Sequence, residues 1–153
     1  MANELGRIAS DRAGHEPSQS ALSRPIGDHP LRKVVINACH GGFGLSRAGV
    51  ECYAKHKGLT IYPEAREGMF AALSEPTYWL VPPAERLHKL AELYPRDIDR
   101  DDPALVATVE ELGDAANGRC AALRVVEIPD DADWEISEYD GSEWVAEKHR
   151  TWS

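Results

Sequence analysis

KVVINACHGGFGLS, residues 33–46, runs from an apolar strand through a glycine loop into the start of a helix. Val34, Val35 and Ile36 are β-branched, the expected content of a buried strand, and predict one over Arg32 to Ala38. Cys39-His40-Gly41-Gly42-Phe43-Gly44 interrupts it. Ser46 then suits a helix N-cap, with Leu45 and Val50 at the two hydrophobic-staple positions. Val50, Tyr53 and Ala54 recur at helical spacing and give one apolar face. Gly58 follows Lys55, His56 and Lys57, a stop preceded by cations that suit a helix C-terminus.

Outward from this unit, Leu59 to Tyr62 predicts a short strand closed by Pro63. Glu64 to Glu75 fits either a short helix or a packed loop. Thr77 to Val81 predicts a strand between Pro76 and Pro82. Pro83 suits the first position of a helix carrying Leu87, Leu90, Ala91 and Tyr94 inward, with a Glu85–Lys89 pair and an end at Pro95. Asp102 as cap and Pro103 as first residue begin the best-marked helix. Its stripe is Leu105, Val106, Val109, Leu112 and Ala116, and Asn117-Gly118 ends it. Cys120 to Ile128 predicts a strand. Asp140-Gly141 between WEISEY and SEWVAEKH is a strong signal for a two-residue type I′ hairpin. Such a loop pairs Tyr139 with Ser142, Glu138 with Glu143, Ile136 with Val145 and Trp134 with Glu147.

This order predicts an α+β fold, a mainly antiparallel sheet packed against one layer of helices, with a C-terminal β-hairpin. Residues 1–30 are polar and rich in Ser, Gly and Pro without apolar periodicity, and read as a mobile N-terminal arm. Residues 31–153 read as a single domain.

The chain has 153 residues, 42% hydrophobic and 28% charged, ordinary for a globular protein. A formal net charge of −9 argues against non-specific nucleic-acid binding, which draws on basic contacts to phosphate, and against an anionic membrane surface. No apolar run approaches the roughly 20 residues of a membrane span, and a cytoplasmic location is expected. Three cysteines without a CxxC pair argue against a disulfide framework and against a zinc site. No metal and no cofactor is expected.

Four features could carry chemistry. Gly41, Gly42 and Phe43, leading to Ser46 and Arg47, could present backbone N–H groups and a guanidinium to a phosphate. Equally, they could be a tight strand-to-helix turn with Phe43 as a core plug. The loop matches neither the dinucleotide GxGxxG fingerprint nor the Walker loop. Cys39 and His40 are adjacent on an extended strand and point to opposite faces, a poor nucleophile–base pair. Glu138 faces Glu143 across the hairpin, with Glu147 further along the same face. Such carboxylates could serve as an acid/base pair or a clamp, or simply project into solvent. In the tail, His149, Arg150 and Trp152, with Tyr139, offer a phosphate donor and stacking surfaces, and Arg100 adds another guanidinium. No catalytic constellation emerges, and a non-enzymatic role is preferred.

The blocks VVINACHGGFGLS (34–46), RDDPALVATVEELGDAANGRCAALRVVEIPDD (100–131) and WEISEYDGSEWVAEKHRTW (134–152) resemble a family of small uncharacterised proteins of tailed bacteriophages and prophages. The likeness covers Lys33 to Trp152, with Glu64 to Tyr94 matching least. His40 departs from the residues associated with that position. The resemblance implies an accessory protein made in the host bacterial cytoplasm and acting against host defence. Two routes follow from it: sequestering a small phosphate-bearing nucleotide-type ligand, as a homo-oligomer, or docking an acidic surface on a host defence protein. A carboxylate-dependent hydrolase is a third possibility.

Overall fold

The fold grows from β1, Leu31–Asn37, whose Val34 and Val35 are fully buried. In the computed structural model, residues 30–69, 71, 74–86 and 91–148 are described. The expected arm therefore lies outside the described residues except for Pro30. Along one edge, β1 pairs antiparallel with β5, Leu123–Pro129, in the register Val35↔Val125 and Asn37↔Leu123. On its other edge the N–H of Val35 donates to the carbonyl of Arg100 at 2.8 Å, tying the 99–102 loop to the strand.

Helix α1 spans Arg47–Lys57. Ser46 caps it by accepting from the Gly49 N–H, and Gly58 closes it in the left-handed conformation at φ 70°. The staple residues Leu45 and Val50 are both buried. Helix α2, Pro103–Leu112, is capped by Asp102, whose carboxylate accepts from the Ala104 N–H at 2.8 Å. The expected run to Ala116 stops earlier: Gly113 takes φ 52° and the chain tightens into a 3-10 turn over Gly113–Ala116. Glycine tolerates that backbone and ends the helix before the asparagine does. Val50, Tyr53, Leu105, Val106 and Val109 meet Val35 and Leu123 in the main core, where α1 and α2 pack together.

The middle of the chain departs from expectation. The second strand, β2, is Tyr62–Glu64 rather than Leu59 to Tyr62, and it contains Pro63. That is allowed because β2 is an edge, in the order β2-β3-β4. β3 is Thr77–Trp79 and β4 is Glu92–Leu93. Of the expected helix after Pro83, the described residues show a 3-10 turn, Pro83–Glu85, and Leu87, Lys89 and Leu90 lie outside the described residues. Pairing of β4 with β3 (Tyr78↔Leu93) keeps Glu92 and Leu93 extended and leaves Tyr94 outside any helix, while Ala91 has 3-10 geometry. An apolar run this short is ambiguous in sequence, and strand pairing decides it.

The hairpin forms as expected: β6, Trp134–Tyr139, pairs with β7, Ser142–Glu147, in the expected register. Asp140 and Gly141 sit at φ 50° and 82°, the positive values of a type I′ turn. The fold is α+β. All its strand pairings among the described residues are antiparallel, divided between the β1-β5, β2-β3-β4 and β6-β7 sheets. No helix among the described residues is long and apolar enough to cross a membrane.

Candidate functional site

The glycine loop is packed against the protein's own backbone. A Cβ on Gly41 would lie 1.7 Å from the Cys120 carbonyl oxygen, and one on Gly118 would lie 2.8 Å from the Gly44 carbonyl carbon. One on Gly141 would come within 2.7 Å of both the Gly42 nitrogen and the His40 oxygen. Three loops, around residues 40–44, 118–120 and 140–141, thus meet at separations that only glycine permits.

Asn37 holds this junction together. It is fully buried, at the point where the apolar run of β1 meets the glycines. Its Nδ2 donates to the carbonyls of Cys39 and Gly141, each at 2.6 Å. Its Oδ1 accepts from the Ala122 N–H at 2.8 Å and from the Cys39 thiol at 3.4 Å. Every hydrogen-bonding capacity of the amide is therefore used. The Asn37 N–H donates to Glu143 Oε2 at 2.9 Å, and Glu143 Oε1 accepts from Arg100 Nη2 at 2.8 Å. Arg100 lies over the Phe43 ring, 3.3 Å from its centroid. Burial pulls the Arg100 pKa below its ordinary value, against the opposing pull of Glu143.

The expected site residues therefore separate. Phe43, Arg100 and Glu143 come together, Arg100 lying over Phe43 and bonding Glu143, which in turn accepts from the Asn37 N–H. Ser46 donates to the Ala115 carbonyl and caps α1, and Arg47 pairs with Glu51 along the helix. Gly42 has φ 83°, and a Cβ there would meet no atom within 4 Å. Glu138 and Glu143 do stand opposite each other, but Glu138 turns to accept from the Gly141 N–H while Glu143 turns inward. Tyr139 is 73% exposed. Glu147 borders a shallow hollow of about 360 Å³ with Ile128, Trp134 and Val145. His149, Arg150 and Trp152 lie outside the described residues. The Cys39 thiol donates to Asn37 Oδ1 and to the Cys120 carbonyl, and His40 faces Asp140 at 4.0 Å in solvent.

A second feature is lined by Phe43. A cleft of about 360 Å³ runs between the Phe43–Leu45 wall and the edge formed by Thr77, Tyr78, Leu93 and Tyr94. Arg66 and Arg96 also line it, and both are exposed. Neither makes an ion pair among the described residues. Glu75 and Glu92 border the cleft too, and Glu92 is engaged by the Tyr94 hydroxyl. Tyr78 is 3% exposed and its hydroxyl has no hydrogen-bond partner among the described residues. Burial pushes that phenol up to about 12, so it stays a neutral donor. Sequence reasoning missed Asn37, Arg66, Tyr78 and Arg96. Asn37 alone carried a signal, a polar residue ending an apolar strand. The others meet only through tertiary packing.

For a metal, the fold offers Cys52, His56 and Glu111, with one ligand atom of each within 4.8 Å of the other two. CxxC spacing, whose lack argued against zinc in the sequence, has no bearing on a set drawn from two helices. In comparison with known proteins, no family model matches the chain, and no curated protein or solved structure matches it either.

Proposed function

We propose that the chain is a binding protein for a small anionic ligand with a planar ring, of the nucleotide class, held in the cleft beside Phe43. The carrying observation is the pair Arg66 and Arg96, two guanidiniums without an ion pair among the described residues, at a cleft walled by Phe43, Tyr78 and Tyr94. Guanidinium matches phosphate oxygens with paired donors, and aromatic walls accept a base by stacking. Phe43, Gly44 and Leu45 line one side of this cleft. In the setting implied by the phage resemblance, a homo-oligomer of this kind in the bacterial cytoplasm would withhold a nucleotide signal from host defence, with no turnover required.

Isothermal titration with mono- and dinucleotides tests the reading, with inorganic phosphate as reference and native mass spectrometry for subunit count. Arg66→Ala and Arg96→Ala should each weaken nucleotide binding by tenfold or more, since a hydrogen bond to a charged group contributes roughly 1.5–3 kcal/mol. Absence of binding across the panel, or wild-type affinity in both variants, would overturn it.

A second reading has its own support. Tyr139 and Trp144, 73% and 47% exposed, lie diagonally on one face of the hairpin in a chain of net charge −9. Exposed aromatics are frequent anchors of protein interfaces. Under this reading Tyr139→Ser/Trp144→Ser abolishes salt-sensitive association with a host protein.

A further inference from the structure

Cys52 and His56 stand four residues apart on α1, so their side chains leave the same face of the helix. Glu111 comes from the last turn of α2, the helix against which α1 packs. A thiol sulfur, an imidazole nitrogen and a carboxylate oxygen converge within 4.8 Å. His56 Nε2 and Glu111 Oε2 are 2.9 Å apart. The His56 and Glu111 side chains are 30% and 50% exposed, so an ion reaches them from solvent, while Cys52 is half-buried beneath. Among the described residues, no other three His, Cys, Asp or Glu side chains converge in this way. Lys57, next to His56 in the chain, pairs with Asp102 at 2.5 Å.

We propose that Cys52, His56 and Glu111 bind a zinc-class divalent cation that clamps α1 to α2. Thiolate and imidazole select zinc or cobalt over magnesium and calcium, which prefer an all-oxygen shell. Metal–ligand bonds of about 2.0–2.3 Å in a tetrahedron place donor atoms roughly 3.3–3.7 Å apart. The closure needed is about 1 Å, within the reach of side-chain torsions. On binding, the Cys52 thiol gives its proton to solvent as its sulfur bonds the metal. Neutral His56 carries its proton on Nδ1 and turns the Nε2 lone pair to the ion. One thiolate and one carboxylate balance the double positive charge. The fourth position remains for water or an added ligand, the arrangement of an open rather than a closed zinc site.

Cobalt(II) titration of the full chain reads the site directly, because a thiolate ligand gives a sulfur-to-cobalt charge-transfer band. We expect that band to saturate at one equivalent and to be displaced by zinc. Cys52→Ser should abolish it, and His56→Ala and Glu111→Gln should each weaken binding tenfold or more. Cys39→Ala and Cys120→Ser, which alter the other two thiols, should keep it. Zinc should also raise the Tm of the wild type and leave that of Cys52→Ser unchanged. No band with folded wild type at millimolar cobalt overturns the proposal. So does a band that persists in Cys52→Ser, or unaltered affinity in both His56→Ala and Glu111→Gln.

Discussion

A Cβ on Gly41 would sit 1.7 Å from the Cys120 carbonyl oxygen, which belongs to the backbone and cannot swing aside. Gly42, its neighbour, has φ 83° but open space around it. The two glycines therefore differ in what alanine does to them. Gly41→Ala should destabilise by about 3 kcal/mol or more through enforced displacement of two loops. Gly42→Ala should cost about 1–2 kcal/mol, the strain of a side chain in the left-handed region. Urea denaturation of both variants checks the order. At the same scale, burial pushes the Asp102 carboxyl up, but hydrogen bonds from Lys57, the Ala104 N–H and Tyr53 outweigh it and hold its pKa below the ordinary value. A lowered folded pKa means the contribution is present above the unfolded value of about 3.9 and is lost as pH falls through the folded one. Asp102→Asn keeps a capping oxygen, so its stability loss relative to wild type should be seen at neutral pH and shrink below about pH 4. Thermal melts between about pH 2 and about pH 7 would show the two curves converging in acid. A constant gap would refute it.

The hairpin is the element whose local chemistry and global attachment come apart. Asp140-Gly141 determines the turn and hence the register, because both residues accept positive φ. What the hairpin is for depends on Glu143, whose side chain is 8% exposed and reaches the Asn37 N–H and Arg100. Glu143→Ala leaves the Arg100 guanidinium in place, 15% exposed, without its carboxylate. Removing one member of a buried pair typically costs about 3–5 kcal/mol. Adding Arg100→Met to that variant should recover part of the loss, giving a positive coupling in a double-mutant cycle. Strictly additive losses would mean that the pair contributes nothing beyond its separate contacts. Helix α2 behaves more simply: Asp102, Pro103 and an apolar stripe announce it, and the fold uses them as announced, except that Gly113 stops it early.

Across the whole molecule, the cleft beside Phe43 is assembled from segments far apart in the chain, a loop arginine, a strand tyrosine and the turn after β4. If its arginines carry ligand recognition, nucleotide affinity should fall as ionic strength rises, since both guanidiniums are exposed and screened by salt. Titrations repeated across a salt series measure this, and a flat response would shift the weight of binding to the aromatic walls. The same scale explains why the middle of the chain departs from its local pattern. Ala91 and Tyr94 recur at helical spacing, yet Leu93 is claimed by Tyr78 across a strand pair.

By itself, the sequence determined whatever depends on neighbours a few residues away. That includes strand β1, the Ser46 and Asp102 caps, the Gly58 stop, the type I′ turn with its register, and with these the α+β class. Capping, turn conformation and side-chain periodicity are short-range effects, written in adjacent residues. Tertiary structure alone decided the β2-β3-β4 sheet, the burial of Glu143 on Arg100 and the close packing of Gly41 and Gly118 on backbone. It also gathered the Arg66–Arg96 cleft and the Cys52–His56–Glu111 set. Each depends on long-range contacts whose energy exists only once distant segments are brought together, and no local pattern encodes that.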